Sequence, residues 1–247
     1  MLGLGLGSSK LEKIKKKHLK WFLLLGLIEP FSYFLCEVFG LSMISATLAA
    51  VILSTIPLFS PLFSCLFIRE RITVSNIIGL LVSLIGVCLI LLDGKGNFAF
   101  KPLGLLLLFG AVIVAITYSL FVRRMSRHYS EITIVTSQNI IGVFLFLPLF
   151  FIVDYNHLGE LSISSHSIIA VIVLGIFASA LAFVFYAYSL KHNGIVRTNA
   201  YLNLLPAMTA FLAYMVLGDS LSFQKIIGVI VVIIGLFINQ IPSKPQD

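Results

Sequence analysis

The run from Trp21 to Leu41 reads WFLLLGLIEPFSYFLCEVFGL and holds two carboxylates, Glu29 and Glu37, in otherwise apolar surroundings. A charged carboxylate in hydrocarbon costs about 3 kcal/mol, so each must be protonated, paired or turned towards a wet cavity. At about 100° per residue the two side chains lie roughly 80° apart around a continuous helix, close enough to border one cavity. Groups so placed suit proton exchange or the holding of a cationic group. A structural reading stands beside this one: Glu37 nears the outer interface, and Glu29 with Pro30 hydrogen-bonds neighbouring backbone.

The weaker candidates are amides, phenols and prolines. Asn199 and Asn203 are four apart and share a helix face, and Gln138 and Asn139 sit in another apolar run. Amides inside a membrane either touch a ligand or bind helices to one another. Tyr118, Tyr186 and Tyr201 offer aromatic walls with a hydroxyl, of which Tyr186 is preferred because an internal repeat, set out below, aligns it with Glu37. Pro57 and Pro206 each remove a backbone donor and free a carbonyl about one turn earlier, near Leu53 and Leu202. Each reads equally as a packing kink.

Enzyme chemistry lacks its signatures. The sequence has no HExxH or GxSxG motif, and its five histidines lie at the ends of apolar runs or between them without metal-ligand spacing. LDGKGN at residues 92 to 97 lacks the GxxxxGK[ST] spacing of a phosphate loop and reads as a turn. Cys36, Cys65 and Cys88 lie far apart in separate apolar runs and read as small hydrophobes. No catalytic residue, cofactor or metal is expected.

The elements that must position these residues follow from composition. With 59% hydrophobic and 11% charged residues, the chain cannot cover itself with a soluble surface. A bilayer core of about 30 Å needs roughly 20 apolar residues per helix. Eight runs come near that length: 21–41, 48–68, 74–92, 103–122, 132–153, 166–190, 198–217 and 223–241. Barrel strands would alternate over about ten residues, which these runs do not. The expected class is an all-α polytopic membrane protein. The net charge of +7 sits in short connections without aromatic stacking platforms, so nucleic acid is excluded as a partner. With the Lys-rich N-terminus inside, fourteen basic residues fall on the inner face against three outside, which places both termini in the cytoplasm. The opening MLGLGLGSS is too short in its apolar core to be read as a cleaved signal.

Shifting the sequence by 149 residues lays PLFSPLFSCLFIRERITVSNIIGLLVSLIG on PAMTAFLAYMVLGDSLSFQKIIGVIVVIIG without a gap. Pro57 meets Pro206, Glu70 meets Asp219, Thr73 meets Ser222, and Gly79 and Gly86 meet Gly228 and Gly235. By the charge-derived topology Glu70 lies inside and Asp219 outside, so the copies cross in opposite senses, an inverted repeat of the kind that builds secondary transporters. Arg69 and Arg71 read as retaining their loop in the cytoplasm, with Glu70 pairing locally or meeting the next helix's N-terminus. The paired glycines mark close-packing scaffold helices rather than binding ones. The second copy has five spans and the first has three, so the register implies a 5 + 5 design of which this sequence carries 3 + 5. The segments are a basic N-terminal stretch at 1–20, an incomplete first repeat at 21–92, a second repeat at 103–241 and a tail at 242–247.

The Pro-bearing span, the acidic residue after it, the Ser or Thr that follows, and the spans IIGLLVSLIGVCLILL and IIGVIVVIIGLFI resemble the EamA-like family of the drug/metabolite transporter superfamily. The resemblance implies a carrier with both termini inside, moving amino acids, other metabolites or drugs. Two function classes therefore stand. The first is a secondary transporter of a small organic solute in the cell's inner membrane, working by alternating access on a proton or other ion gradient. The second is a truncated, non-transporting membrane fragment or a subunit that needs a partner. Neither the solute nor the oligomeric state follows from the sequence, and a homodimer stays open.

Overall fold

The computed structural model describes residues 11–44, 46–91, 101–153, 164–212, 215 and 223–241. Asp219, Ser222, His157, the 92–97 turn and the tail at 242–247 lie outside them. The described elements are α1 (Leu19–Gly26), α2 (Tyr33–Leu41), α3 (Ala46–Leu53), α4 (Ile56–Ile68), α5 (Val74–Leu91), α6 (Pro102–Met125), α7 (Glu131–Val153), α8 (Ser165–Val173), α9 (Ala182–Asn193), α10 (Ile195–Ala200), α11 (Leu204–Leu212) and α12 (Phe223–Gln240). Among the described residues four helical stretches are long and apolar enough to cross a membrane: Lys16–Leu41, Pro102–Met125, Glu131–Val153 and Ser167–Asn193. The other expected spans appear as shorter or interrupted apolar helices.

The distribution of side chains is inverted relative to a protein in water. Ser60, Ser64, Ser83, Ser119, Asn199 and Asn203 are buried, while Phe144, Ile152, Val171 and Phe177 are exposed. In lipid an exposed apolar side chain costs nothing, whereas every polar group must find a partner inside the protein. The serines do so partly on their own helices: Ser60 donates to the Ile56 carbonyl and Ser64 to the Ser60 carbonyl, both at 2.7 Å.

The chain forms two compact units. One comprises Met1–Ser32 and Phe121–His192. In it α1 packs on α7, where a Cβ added at Gly26 would lie 2.7 Å from Ile141 Cβ. The stretch Leu27–Ser32 continues onto the same face of α7, and Gly142 admits Pro30, whose Cγ would be 2.5 Å from a Cβ at that glycine. Between α8 and α9 the helix widens into a π-helical segment, Leu174–Leu181.

The other unit comprises Tyr33–Leu120 and Asn193–Asp247. Its centre is the pair α5 and α12. A Cβ at Gly79 would lie 2.6 Å from the Gly235 carbonyl oxygen, and one at Gly86 would lie 2.7 Å from that of Gly228. Gly79 of α5 meets Gly235 of α12 and Gly86 meets Gly228, so the helices are antiparallel. Because these two helices correspond under the 149-residue shift, this one helix of each copy runs opposite to its counterpart. Buried amides latch this pair: Asn76 Nδ2 donates to the Asn239 carbonyl at 2.8 Å, and Asn239 Nδ2 donates back to the Asn76 carbonyl at 3.1 Å. Near the other end Gln224 Nε2 donates to the Leu89 carbonyl at 3.0 Å. The helix α5 starts with a reciprocal cap in which Asn76 N–H donates to Thr73 Oγ1 and Thr73 N–H donates to Asn76 Oδ1, both at 3.1 Å.

Candidate functional site

In the first unit the site is built around a broken helix. Pro30 carries no N–H and forces its predecessor out of the helical region. Glu29 accordingly takes φ −143° and ψ 126°, extended backbone inside what is otherwise helix. The Glu29–Pro30 peptide is cis. The side chain of Glu29 is buried, at 7% exposure, and Ser32 Oγ donates to the Leu27 carbonyl at 2.7 Å, within the interruption. Opposite lies the α7 turn that bears Gln138, itself buried, whose carbonyl oxygen would be 3.3 Å from a Cβ at Gly26. Glu29 and Gln138 are thus carried by directly packed segments. One residue on, Asn139 Nδ2 donates to the carbonyl of Ser179 at 3.2 Å, inside the π-helical segment Leu174–Leu181. Under the 149-residue shift Leu27–Ser32 falls within Leu174–Leu181, so irregular backbone recurs at one place in both copies. Tyr186, in α9, is half-buried, and the ideal-helix angle relating Glu29 to Glu37 is interrupted at Glu29 itself.

In the second unit Glu37 lies half-buried on α2, where its Oε1 accepts the Tyr33 hydroxyl at 3.2 Å. The remaining candidates gather on α10 and the 3-10 turn Tyr201–Asn203 that follows it. Asn199 is fully buried, and its Nδ2 donates to Ser60 Oγ on α4 at 2.6 Å and to Ser119 Oγ on α6 at 3.4 Å. It binds three helices together. Asn203 Nδ2 donates to Ser83 Oγ on α5 at 2.6 Å, but its Oδ1 is buried with no partner among the described residues. An open acceptor inside a protein is costly unless something else fills it. Helix α4 begins at Ile56, one residue before Pro57, after a break at Ser54 and Thr55, and α11 begins at Leu204, two residues before Pro206, after the 3-10 turn. Tyr118 is buried, and Tyr201 is exposed.

Glu70 acts further away than the helix that follows it. Its carboxylate accepts the Ile195 N–H at 3.2 Å, at the start of α10, because Thr73 and Asn76 already cap α5. Gly194 precedes that N–H with φ +83°, and a side chain there would meet the Glu70 carboxylate. Sequence reasoning also passed over Ser60, Ser83, Ser119 and the Asn76–Asn239 pair. For Asn76 a signal existed in TVSN, the spacing of a reciprocal cap.

Comparison with known proteins agrees with this architecture. A solved chain described only as the crystal structure of a protein superposes with a TM-score of 0.81 at 20% identity, over 97% of this chain and 80% of that one. An uncharacterized transporter of Archaeoglobus fulgidus is 25% identical over 230 residues, 92% of this chain and 79% of its own length. The uncharacterized transporter YetK of Bacillus subtilis is 26% identical over 243 residues, 95% and 72% respectively. A WAT1-related chloroplastic protein of Arabidopsis thaliana is 27% identical over 215 residues, covering 83% of this chain and half of that one. The EamA-like transporter family model matches residues 2–92 and again 102–240, and the chain belongs to that family.

Proposed function

We infer that the chain is a secondary transporter that moves a small organic metabolite or drug across the inner membrane by alternating access, with both termini in the cytoplasm. The observation that carries this reading is the interrupted helix at Glu29–Pro30, which holds a buried carboxylate in a segment packed on α7 at Gly142. Discontinuous helices at matching places in opposed copies are the usual seat of substrate and coupling ion in such carriers. Glu29 exchanges the coupling proton or holds a cationic group, with Gln138 and Asn139 beside it and Tyr186 on α9 as a wall. In the second unit Glu37 and Asn203 supply polar contacts, Asn199 holds the surrounding helices, and the breaks before Pro57 and Pro206 give the backbone freedom to rearrange. No nucleotide enters the scheme, so an ion or solute gradient drives it.

The test is uptake by proteoliposomes under an imposed pH gradient, screened over pools of radiolabelled amino acids and cationic drugs. Gradient-driven accumulation is expected for the native chain, with a loss of more than about tenfold in Glu29→Gln, the size of effect a positioned proton carrier contributes. A Glu29→Gln variant that folds and accumulates solute at the native rate removes Glu29 from the mechanism. No accumulation of any pool under any ion gradient contradicts the transport reading.

A further inference from the structure

Residues Leu11 to Lys20 hold Lys13, Lys15, Lys16, Lys17 and Lys20 directly before the first span. Topology alone needs only that these charges stay on one side. The structure does more with them, because the segment is folded back onto the turn between α6 and α7. Glu12 N–H donates to Thr133 Oγ1 at 3.1 Å, Ser130 N–H donates to Glu12 Oε1 at 3.3 Å, and Lys15 N–H donates to the Tyr129 hydroxyl at 3.1 Å. His18 Nδ1 shares a hydrogen bond of 2.8 Å with the same hydroxyl. The one carboxylate of the segment, Glu12, is thereby occupied with backbone, and the lysines are all exposed.

The fold-back borders a cavity of about 500 Å³ lined by Glu12, Arg123, Arg127, His128, Tyr129 and Lys191, with the hydroxyls of Ser126 and Ser130. Two of its cations are already engaged. Arg123 donates to the carbonyls of Leu190 and Lys191, at the end of α9, and Lys191 Nζ lies 2.8 Å from Glu131 Oε1. Arg127 is exposed and has no carboxylate partner among the described residues. The cavity sits where the first span begins, α6 and α9 end and α7 begins, which is the level of the lipid headgroups. Basic clusters at such helix ends, next to polybasic stretches, are where anionic headgroups bind.

We propose that this cavity is a seat for the phosphate headgroup of an anionic phospholipid, held by Arg127, with the exposed lysines that follow Glu12 in the chain adding positive field beside it. It requires only that the chain is embedded in a membrane and is independent of any transport reaction. The chain carries its own reporter, since Trp21 is its single tryptophan. Arg124 lies over the Trp21 ring at 5.6 Å, beside Arg123 in the last turn of α6, with Arg127 two residues beyond the end of that helix.

The experiment reconstitutes the full chain in vesicles of phosphatidylcholine mixed with phosphatidylglycerol, one or the other carrying brominated acyl chains in both leaflets, and follows Trp21 quenching. Brominated phosphatidylglycerol is expected to compete for the site at least about tenfold better than its mole fraction predicts. Arg127→Ala lowers that preference about fivefold, the factor one basic residue contributes beside an anionic surface. Arg127→Lys largely restores it, and Lys101→Ala, a charge removed at the opposite end of α6, leaves it unchanged. An unchanged Trp21 emission maximum shows that the variants fold alike. The proposal is overturned by quenching that follows mole fraction alone, or by equal losses in Arg127→Ala and Lys101→Ala. It is also overturned if inorganic phosphate abolishes the preference where chloride of equal ionic strength does not, because the site then takes free phosphate.

Discussion

The packing of α5 on α12 gives the most quantitative prediction. In Gly235→Ala the new Cβ would lie 2.7 Å from the Gly79 carbonyl oxygen and 2.8 Å from Ser83 Cα, both on the opposing backbone. Carbon contacts are comfortable only from about 3.5 Å, so the helices must part by roughly 0.7 to 1 Å. Backbone cannot swing aside as a side chain can, and overpacking of this kind costs about 1–3 kcal/mol. The parting also stretches the Asn76–Asn239 pair, whose bonds of 2.8 and 3.1 Å would pass the limit of useful hydrogen bonding. Two interhelical bonds in a membrane protein are worth about 1 kcal/mol together. The gain from replacing a helical glycine, about 0.5–1 kcal/mol, offsets part of this. A net loss of about 2 kcal/mol follows, roughly a thirtyfold shift in the unfolding equilibrium. Reversible unfolding in mixed micelles of mild detergent and SDS, followed by circular dichroism, measures it. Gly175→Ala is the control, since nothing lies within 4 Å of a Cβ there, and it should fall within about 1 kcal/mol of the native chain. Adding Asn239→Ala should cost about 1 kcal/mol in the native background and little in Gly235→Ala, because the pair is already parted. If Gly235→Ala proves as harmless as Gly175→Ala, the close antiparallel contact is refuted.

Other predictions are smaller. Glu70→Ala removes the acceptor for the Ile195 N–H, a loss of about 1 kcal/mol, and hydrogen exchange across residues 195–198 should quicken about fivefold while α5, capped by Thr73 and Asn76, is unaffected. Gly194→Ala, which places a Cβ against the same carboxylate at positive φ, should quicken the same amides at least as much. Asn199→Ala should cost about 1–2 kcal/mol in the same denaturation assay, because it leaves buried Ser60 and Ser119 without their bridge. Asn203→Ala also removes an unpartnered acceptor, so it should cost less than Asn199→Ala while reducing solute uptake more; the reverse order would assign Asn203 to helix binding alone.

How much was legible in the sequence depended on whether the cause was local. The all-helical class and the 149-residue repeat that pairs α5 with α12 follow from composition and spacing, which act segment by segment. The Thr73 start of α5 follows from a capping pattern confined to four residues. What escaped was set by tertiary contact. Pro30 marks the place of the break, yet its seat against Gly142 of α7 is set by packing that no local pattern announces. The π-helical segment Leu174–Leu181 has no proline and only one glycine to announce it. Glu70 reaches a helix start 125 positions further along the chain, and no local rule selects that target over the nearer α5. The Asn76–Asn239 latch is likewise invisible until the two scaffold helices are seen to run antiparallel. Of the candidate amides, Asn199 and Asn203 look equivalent in sequence, and only their partners separate a satisfied strut from one with an open acceptor.

A carrier of the proposed kind needs two copies that cross the membrane in opposite directions, and sided labelling tests this most directly. In a chain with Cys36, Cys65 and Cys88 replaced by alanine, Arg71→Cys and Phe223→Cys place single thiols just before α5 and at the first residue of α12. With an impermeant maleimide on intact cells, Phe223→Cys should be labelled at once and Arg71→Cys only after permeabilisation. Labelling of both from the same face would contradict the inverted repeat and, with it, the carrier built on it.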